Sequence, residues 1–154
     1  MARNIAALGG RAKLLAVIGD DEAGRTLESL LQADGVETSL HRDSAIDTTV
    51  KLRVLARQQQ LLRIDFEKEP GNDVLAAKLD EFAAALAQTD VVILSDYGKG
   101  ALRHVAQMIA AARKLGKPVL VDPKGDDYER YRGATLLTPN RSEFRQVAGR
   151  WVSE

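Results

Sequence analysis

The sequence predicts an α/β fold in which a mostly parallel sheet is flanked by helices and carries an inserted antiparallel β hairpin. Two observations lead to this prediction. Short apolar runs that end in Gly, Ser, Asp or Thr alternate with segments of helical periodicity, as in parallel sheets with helical crossovers. Between about residues 50 and 67 the apolar period changes to two, which is typical of paired strands with one apolar face.

The first part of the chain predicts a helix end, a buried strand and a second helix. Residues 2–8 indicate the end of a helix that Gly9 and Gly10 terminate. The continuous apolar run at 14–18 predicts a buried strand. Asp20 and Asp21 are suited to capping the helix that follows. The apolar stripe of that helix consists of Ala23, Leu27, Leu30 and Leu31.

A hairpin is predicted on both sides of a polar turn at 58–60. Its alternating apolar positions are Val50, Leu52, Val54, Leu62, Ile64 and Phe66. The opposite face is charged and carries Lys51, Arg53 and Arg63, so we expect one apolar and one charged face. A third strand is expected at 36–41, which places the whole insertion at about 36–67.

The rest of the chain predicts alternating helices and strands. An amphipathic helix follows Pro70 and Gly71, because apolar residues recur there at steps of three and four. Buried strands are expected at 91–94 and 119–121, with a helix between them that closes at Gly116. A shorter strand is expected at 135–137, and a last helix begins at 138–140.

Composition excludes several classes of function. The chain has 22 Lys and Arg against 22 Asp and Glu, whereas proteins that bind nucleic acid by neutralising phosphates carry a basic excess. It has no Cys, which excludes disulfides and thiolate metal sites. Its apolar runs are far shorter than the roughly 20 residues that span a bilayer. We therefore expect a cytoplasmic protein with no nucleic-acid or membrane partner.

Polar side chains collect where the predicted strands end. Asp20, Asp96, Asp122 and Thr138 each follow an apolar run, and open α/β sheets bind ligands outside the carboxyl ends of their strands. Helix caps and turns use the same residue types, so each position alone also fits a structural role. The loop at 96–100 adds two glycines and Lys99 before an expected helix, which suits a phosphate or a phosphorylated sugar.

Two further segments have spacings found in phosphate or nucleotide sites. Residues 19–26 have the spacing of a phosphate-binding loop, but Arg25 replaces its Lys and three consecutive carboxylates would repel phosphate, so we reject it. Residues 140–143 form an N-x-x-E pattern that fits either a helix-capping box or a nucleotide site. Residue chemistry alone leaves both interpretations open. Lys124 adds an ammonium group in the same layer of strand ends.

Several motifs occur together and in the order found in one family. They are the segments 49–54, 59–67, 94–100, 121–125 and 128–140. Together they resemble the bacterial heptose 7-phosphate kinases of the ribokinase (phosphofructokinase-B) superfamily, and the resemblance covers essentially the whole chain. The segments 51–54 and 129–140 are specific to the heptose kinases, whereas N-x-x-E and Asp-Pro belong to the wider superfamily.

The resemblance implies a ribokinase-like fold and an ATP-dependent reaction. Phosphate would pass to the anomeric hydroxyl of D-glycero-β-D-manno-heptose 7-phosphate, for ADP-heptose and lipopolysaccharide core synthesis. The hairpin would be a β lid that closes over the sugar and pairs in a homodimer. The expected sugar-binding residues are Lys51, Arg53, Arg63, Asp96, Lys99 and Lys124. The expected ATP-binding residues are Asn140, Arg141, Ser142 and Glu143, with Asn140 and Glu143 organising Mg²⁺ through water.

The resemblance also implies that residues 1–154 are an internal part of a carbohydrate kinase domain. The family motif Asp-Thr-x-Gly-Ala-Gly-Asp, which supplies the general base and the anion hole, is not in this sequence. We therefore expect no catalytic residue in this chain and no activity from it alone. Two alternatives remain: a catalytically silent domain that self-associates through the hairpin edge, and another ribokinase-family sugar kinase.

Overall fold

The computed structural model describes residues 1–57 and 59–149, and the chain divides into two units. The first is Met1–Val74 and the second begins at Leu75. Gln58, part of the predicted polar turn, lies outside the described residues. Within the described ranges, no helix is long and apolar enough to cross a membrane.

The first unit contains a parallel strand pair and a separate antiparallel hairpin. Its elements are α1 (Ala2–Ala7), β1 (Lys13–Gly19), α2 (Glu22–Ala33), β2 (Glu37–Asp43), β3 (Val50–Ala56) and β4 (Gln59–Phe66). The third strand predicted at 36–41 exists as β2, but it pairs in parallel with β1 and does not extend the hairpin as we expected. The reason is that α2 forms a crossover connection, which returns the chain to the same sheet in the same direction.

The hairpin has the two predicted faces. Leu52 lies opposite Ile64 on the apolar face, and Arg53 lies opposite Arg63 on the charged face. The apolar face remains uncovered within the first unit, since Leu52 is 48% exposed.

The apolar stripe predicted on α2 is only partly buried. Leu31 is 6% exposed, whereas Leu27 and Leu30 are 37% and 58% exposed. A pair of strands, β1 and β2, covers one narrow strip of the helix surface, so the predicted stripe is wider than the sheet behind it.

The second unit begins within α3 and forms a three-stranded parallel sheet with helices. Its elements are α3 (Asn72–Ala85), a 3₁₀ turn (Leu86–Gln88), β5 (Val92–Ser95), α4 (Val105–Lys114), β6 (Val119–Asp122), a second 3₁₀ turn (Glu129–Tyr131), β7 (Leu136–Leu137) and α5 (Arg141–Ala148). The strand order is β5-β6-β7, with both pairings parallel. All three strands therefore present their carboxyl ends at one edge.

The core of this unit joins the central strand to one face of α4. Val119 and Val121 of β6 are fully buried, and Ile109 of α4 is 1% exposed. Burial of each such side chain contributes about 1.5–3 kcal/mol. The helix does not continue directly from the loop at 96–100, because Gly98 and Gly100 have φ values of 67° and 73°, which an α-helix does not accommodate. A turn at 101–104 separates this loop from α4.

Candidate functional site

The candidate site is a cavity of about 290 Å³ at the carboxyl ends of β5, β6 and β7. Its lining residues are Asp96, Tyr97, Asp122, Pro123, Lys124, Thr138, Asn140 and Glu143. Backbone hydrogen bonds align the ends of the three strands. Asp96 N–H donates to the Asp122 carbonyl at 2.9 Å, and Thr138 N–H donates to the Val121 carbonyl at 2.9 Å. The structure thus brings together the predicted residues Asp96, Lys124, Asn140 and Glu143.

Asn140 and Glu143 form the capping box of α5. Asn140 Oδ1 accepts from the N–H groups of Ser142 at 2.9 Å and Glu143 at 3.0 Å, and Glu143 Oε2 accepts from Asn140 N–H at 2.9 Å. The capping box that the N-x-x-E pattern allows is therefore present, and the nucleotide role of these residues stays a prediction. Both lone pairs of the Asn140 amide oxygen accept these hydrogen bonds. Glu143 is therefore better placed than Asn140 to supply an oxygen ligand to a cation.

Glu143 makes one contact that a helix cap does not need. Its Oε1 accepts from Lys124 Nζ at 2.9 Å, and the residue is only 7% exposed. The bonds from Lys124 and from Asn140 N–H hold the pKa of Glu143 below its usual value. Glu143 in turn raises the pKa of Lys124. The cavity therefore contains an ionised carboxylate and an ammonium group at neutral pH.

Asp96 is buried and accepts hydrogen bonds at both oxygens. It is 5% exposed; Oδ1 accepts from Gly98 N–H at 2.8 Å, and Oδ2 accepts from the Tyr131 hydroxyl at 2.8 Å. Arg130 Nη2 lies 3.4 Å from the same Oδ2. Asp96 thus shapes the loop after β5, and the sugar-binding role expected of it depends on the lone pairs that remain.

The other predicted residues of the second unit lie outside the cavity lining. Lys99 is exposed in the glycine loop after β5. Arg141 and Ser142 are exposed on the first turn of α5, where Ser142 contributes its N–H to the cap.

The three basic residues predicted on the hairpin share one face of it, in the first unit. Lys51 lies opposite Asp65 in the strand register, with its Nζ 3.5 Å from Glu67 Oε1. Arg53 lies opposite Arg63, whose Nε is 3.2 Å from Asp65 Oδ1. The two arginines give this face a local excess of positive charge. Because they lie directly opposite each other, their like charges also destabilise the strand pair.

The N-terminus of α2 is occupied by a side chain of the same chain. Asp21 Oδ2 accepts from Thr48 N–H and its Oδ1 from Gly24 N–H, both at 2.7 Å. These bonds, first from Thr48 and then from Gly24, lower the pKa of Asp21. A carboxylate thus sits where a phosphate-binding loop would hold phosphate, in agreement with our rejection of residues 19–26.

Two residues without a predicted role lie behind the cavity. Tyr131 is 2% exposed, and its hydroxyl bonds Asp96. Arg130 Nη2 donates to the Leu102 carbonyl at 3.0 Å, and its guanidinium lies 5.5 Å from the centre of the Tyr131 ring. The sequence feature that could have identified them is the aromatic and basic segment 128–131. It contributed to the family resemblance, but it gave no indication of what its side chains contact.

The donor set fits Mg²⁺ only as an ion shared with a bound nucleotide. Among residues 1–57 and 59–149, no group of three or more His, Cys, Asp or Glu could hold a metal. Mg²⁺ commonly uses one or two carboxylates and takes its other ligands from water and substrate phosphates. Glu143 can supply one such contact, directly or through water.

Comparison with known proteins identifies relatives over nearly the whole chain. The model of the family described as pfkB family carbohydrate kinase matches residues 1–151. A D-beta-D-heptose 7-phosphate kinase of Bordetella bronchiseptica is 54% identical over 154 residues, which is 100% of this chain and 49% of that protein. The bifunctional protein HldE of Methylococcus capsulatus is 54% identical over 149 residues, 97% of this chain and 32% of that protein. The chain spans about half the length of the first relative and about a third of the second.

Solved structures share the fold at low sequence identity. The PfkB protein from Polaromonas sp. JS666 has a TM-score of 0.77 at 18% identity, over 97% of this chain and 56% of that one. The tetrameric inhibited form of phosphofructokinase-2 from Escherichia coli has a TM-score of 0.70 at 22% identity, over 99% and 52%. At these identities the likeness shows the fold alone, and it confirms the predicted ribokinase-like α/β class.

Proposed function

The chain belongs to the pfkB family of carbohydrate kinases, and we propose that it forms part of an ATP-dependent kinase for D-glycero-β-D-manno-heptose 7-phosphate. The acceptor is the anomeric hydroxyl, and the product serves ADP-heptose and lipopolysaccharide core synthesis. The 54% identity to a heptose 7-phosphate kinase over all 154 residues is the observation that carries this proposal. Because ATP and sugar phosphates are cytoplasmic metabolites, we place the enzyme in the cytoplasm.

We assign the cavity around Lys124 and Glu143 to the phosphates of ATP and its Mg²⁺. This replaces the sugar-binding role that the resemblance implied for Lys124, because its Nζ bonds Glu143. Phosphoryl transfer depends mainly on positioning and electrostatic stabilisation. Bound Mg²⁺ neutralises charge on the phosphates, and the ionised Glu143 supplies the negative charge that attracts the hydrated ion. The Lys124 ammonium has three donors, so it can bond Glu143 and a phosphate oxygen together. Arg141 adds a guanidinium and Ser142 a hydroxyl on the first turn of α5, whose Ser142 and Glu143 N–H groups are engaged by Asn140.

We assign the phosphate that the sugar already carries to basic residues of the lid, and we propose a separate sugar-binding role for Lys99 in the loop after β5. An anion between Arg53 and Arg63 would relieve the repulsion of two arginines opposite each other, and arginine binds phosphate in bidentate geometry. Lys51 is the further cation on this face of the hairpin. Asp96 accepts a hydrogen bond from Gly98 N–H and so stabilises the loop that carries Lys99.

We propose that the hairpin also joins two copies of the protein. Its exposed apolar residues are Val50, Leu52, Val54, Leu62 and Phe66, between 39% and 51% exposed. An isolated two-stranded hairpin is marginally stable in water, so covering this face favours both folding and association. Light scattering on the native full-length protein should give a dimer, and Leu52→Lys should give a monomer. The control Arg57→Gln at the turn should stay dimeric.

A substrate panel tests the proposed function. Sugar-dependent ADP formation from MgATP is measured for the native full-length protein with D-glycero-β-D-manno-heptose 7-phosphate, fructose 6-phosphate and ribose. We expect the heptose phosphate to have the highest kcat/KM by at least about 100-fold, or roughly 2.7 kcal/mol. A higher value for another sugar would reassign the chain to a different kinase of the family. No sugar-dependent ADP at all would favour the silent, self-associating alternative.

A further inference from the structure

The hydroxyl of Tyr131 joins the two loops on opposite sides of the candidate cavity. Tyr131 Oη lies 2.8 Å from Asp96 Oδ2, in the loop after β5, and 3.2 Å from the backbone nitrogen of Lys124, in the loop after β6. Lys124 and Asp96 both line the cavity.

The direction of these bonds follows from the distances. Tyr131 has a single hydroxyl hydrogen, and the Asp96 oxygen at 2.8 Å is closer and more negative than the Lys124 carbonyl oxygen at 3.3 Å. The hydroxyl therefore donates to Asp96 and accepts from Lys124 N–H. Burial raises the pKa of Tyr131 to about 12, so the donor hydrogen is kept at neutral pH.

The ring of Tyr131 is held from two sides, which fixes where the hydroxyl points. The Arg130 guanidinium lies 5.5 Å from the ring centre, and the Tyr128 ring packs edge-on at 5.9 Å. The side chain is 2% exposed, so close packing restricts its movement.

We propose that Tyr131 is a positioning residue for phosphoryl transfer, whose hydroxyl sets the spacing between the loop that carries Lys99 and the loop that carries Lys124. The proposal rests on the proposed function, in which these loops bind the sugar phosphate and the nucleotide. Removal of the hydroxyl leaves Asp96 Oδ2 and Lys124 N–H without their shared partner, so each loop relaxes separately. A displacement of about 1 Å between reacting groups can lower the rate by on the order of 100-fold.

Tyr128 provides a matched control in the same segment. Its hydroxyl is also buried, but it has no hydrogen-bond partner among the described residues. The experiment compares Tyr131→Phe and Tyr128→Phe with the native full-length protein. It measures the unfolding temperature of each protein. At a temperature well below unfolding, it also measures kcat and KM for the heptose phosphate and MgATP, and the Kd of MgADP by calorimetry.

We expect Tyr131→Phe to lower kcat/KM for both substrates by at least tenfold and to raise the Kd of MgADP at least threefold, while Tyr128→Phe stays within twofold of the parent in each. A lower unfolding temperature with parental kinetics and parental Kd would mean that Tyr131 is only structural, and would overturn the proposal. If the parent phosphorylates no sugar, the proposed function fails and the Kd of MgADP decides: an unchanged Kd in Tyr131→Phe, or no MgADP binding by the parent, overturns this inference as well.

Discussion

Lys124 Nζ donates to Glu143 Oε1 at 2.9 Å, although the residues are 19 positions apart in sequence. The pair connects the end of β6 to the first turn of α5 across the cavity. The Lys124 side chain is 52% exposed and that of Glu143 is 10% exposed. Because water screens the lysine, the pair contributes little to stability, and its main effect is to place opposite charges at the site.

The pair predicts how stability depends on pH. The lowered pKa of Glu143 means that its contribution is present above the ordinary value of 4.5 and is lost as pH falls through the folded pKa. The raised pKa of Lys124 means that its contribution is present below 10.5 and is lost as pH rises through the folded pKa. Urea unfolding between about pH 3 and pH 7 should be less pH-dependent in Glu143→Gln than in the parent. Identical profiles would contradict this.

Lys99→Ala should weaken binding of the sugar phosphate and leave the fold unchanged. Loss of one charge-assisted hydrogen bond costs about 1–3 kcal/mol of binding energy. Lys99 is exposed in a loop, so unfolding should shift by less than about 0.5 kcal/mol. Calorimetric titration of heptose 7-phosphate into the full-length protein measures the effect. Parental affinity would show that Lys99 is only a solvated turn residue.

Arg53→Gln should raise the KM for heptose 7-phosphate roughly tenfold, because it removes half of the Arg53–Arg63 phosphate site. The same change relieves a like-charge pair, so the free energy of unfolding should stay equal or rise by about 0.2–1 kcal/mol. Steady-state kinetics and urea unfolding measure the two effects. Arg57→Gln, which removes a charge at the turn, is the control and should change neither.

Thr48→Val should destabilise the first unit. Thr48 Oγ1 accepts from Gly19 N–H at 2.9 Å in a buried position, and valine has no acceptor. A buried N–H left without a partner costs about 1–3 kcal/mol. Urea unfolding should show this loss in Thr48→Val, and the exposed neighbour Thr49→Val should show none. Equal stability of the two variants would mean that water replaces the hydroxyl.

Features that depend on local sequence could be predicted. The apolar and charged faces of the hairpin follow from the period of two, and the capping box follows from Asn140 and Glu143 being three residues apart. The magnesium role of Glu143 and the sugar-binding roles of the basic residues stay predictions.

Features that depend on tertiary contact could not be predicted. The Lys124–Glu143 bond and the Tyr131–Asp96 bond join residues 19 and 35 positions apart, and no periodicity encodes such distances. The pairing of β2 with β1 was missed for a similar reason, because the sequence of a strand does not indicate which neighbour it joins. The turn at 101–104 before α4 follows a loop in which two glycines have positive φ angles, which the sequence permits but does not require.

The most direct test of the cavity as the site of phosphoryl transfer is the kinetics of Glu143→Gln in the native full-length protein. Glutamine can still complete the capping box but lacks the charge. Glu37→Gln is the control, since Glu37 Oε1 also lies 2.9 Å from a lysine, Lys13 Nζ, but on the β1–β2 pair. We predict that kcat of Glu143→Gln falls at least about tenfold, or 1.4 kcal/mol, with half-saturation at higher Mg²⁺, while Glu37→Gln is unchanged. Parental turnover and an unchanged Mg²⁺ titration in Glu143→Gln would show that Glu143 is only a helix cap, and would contradict the assignment.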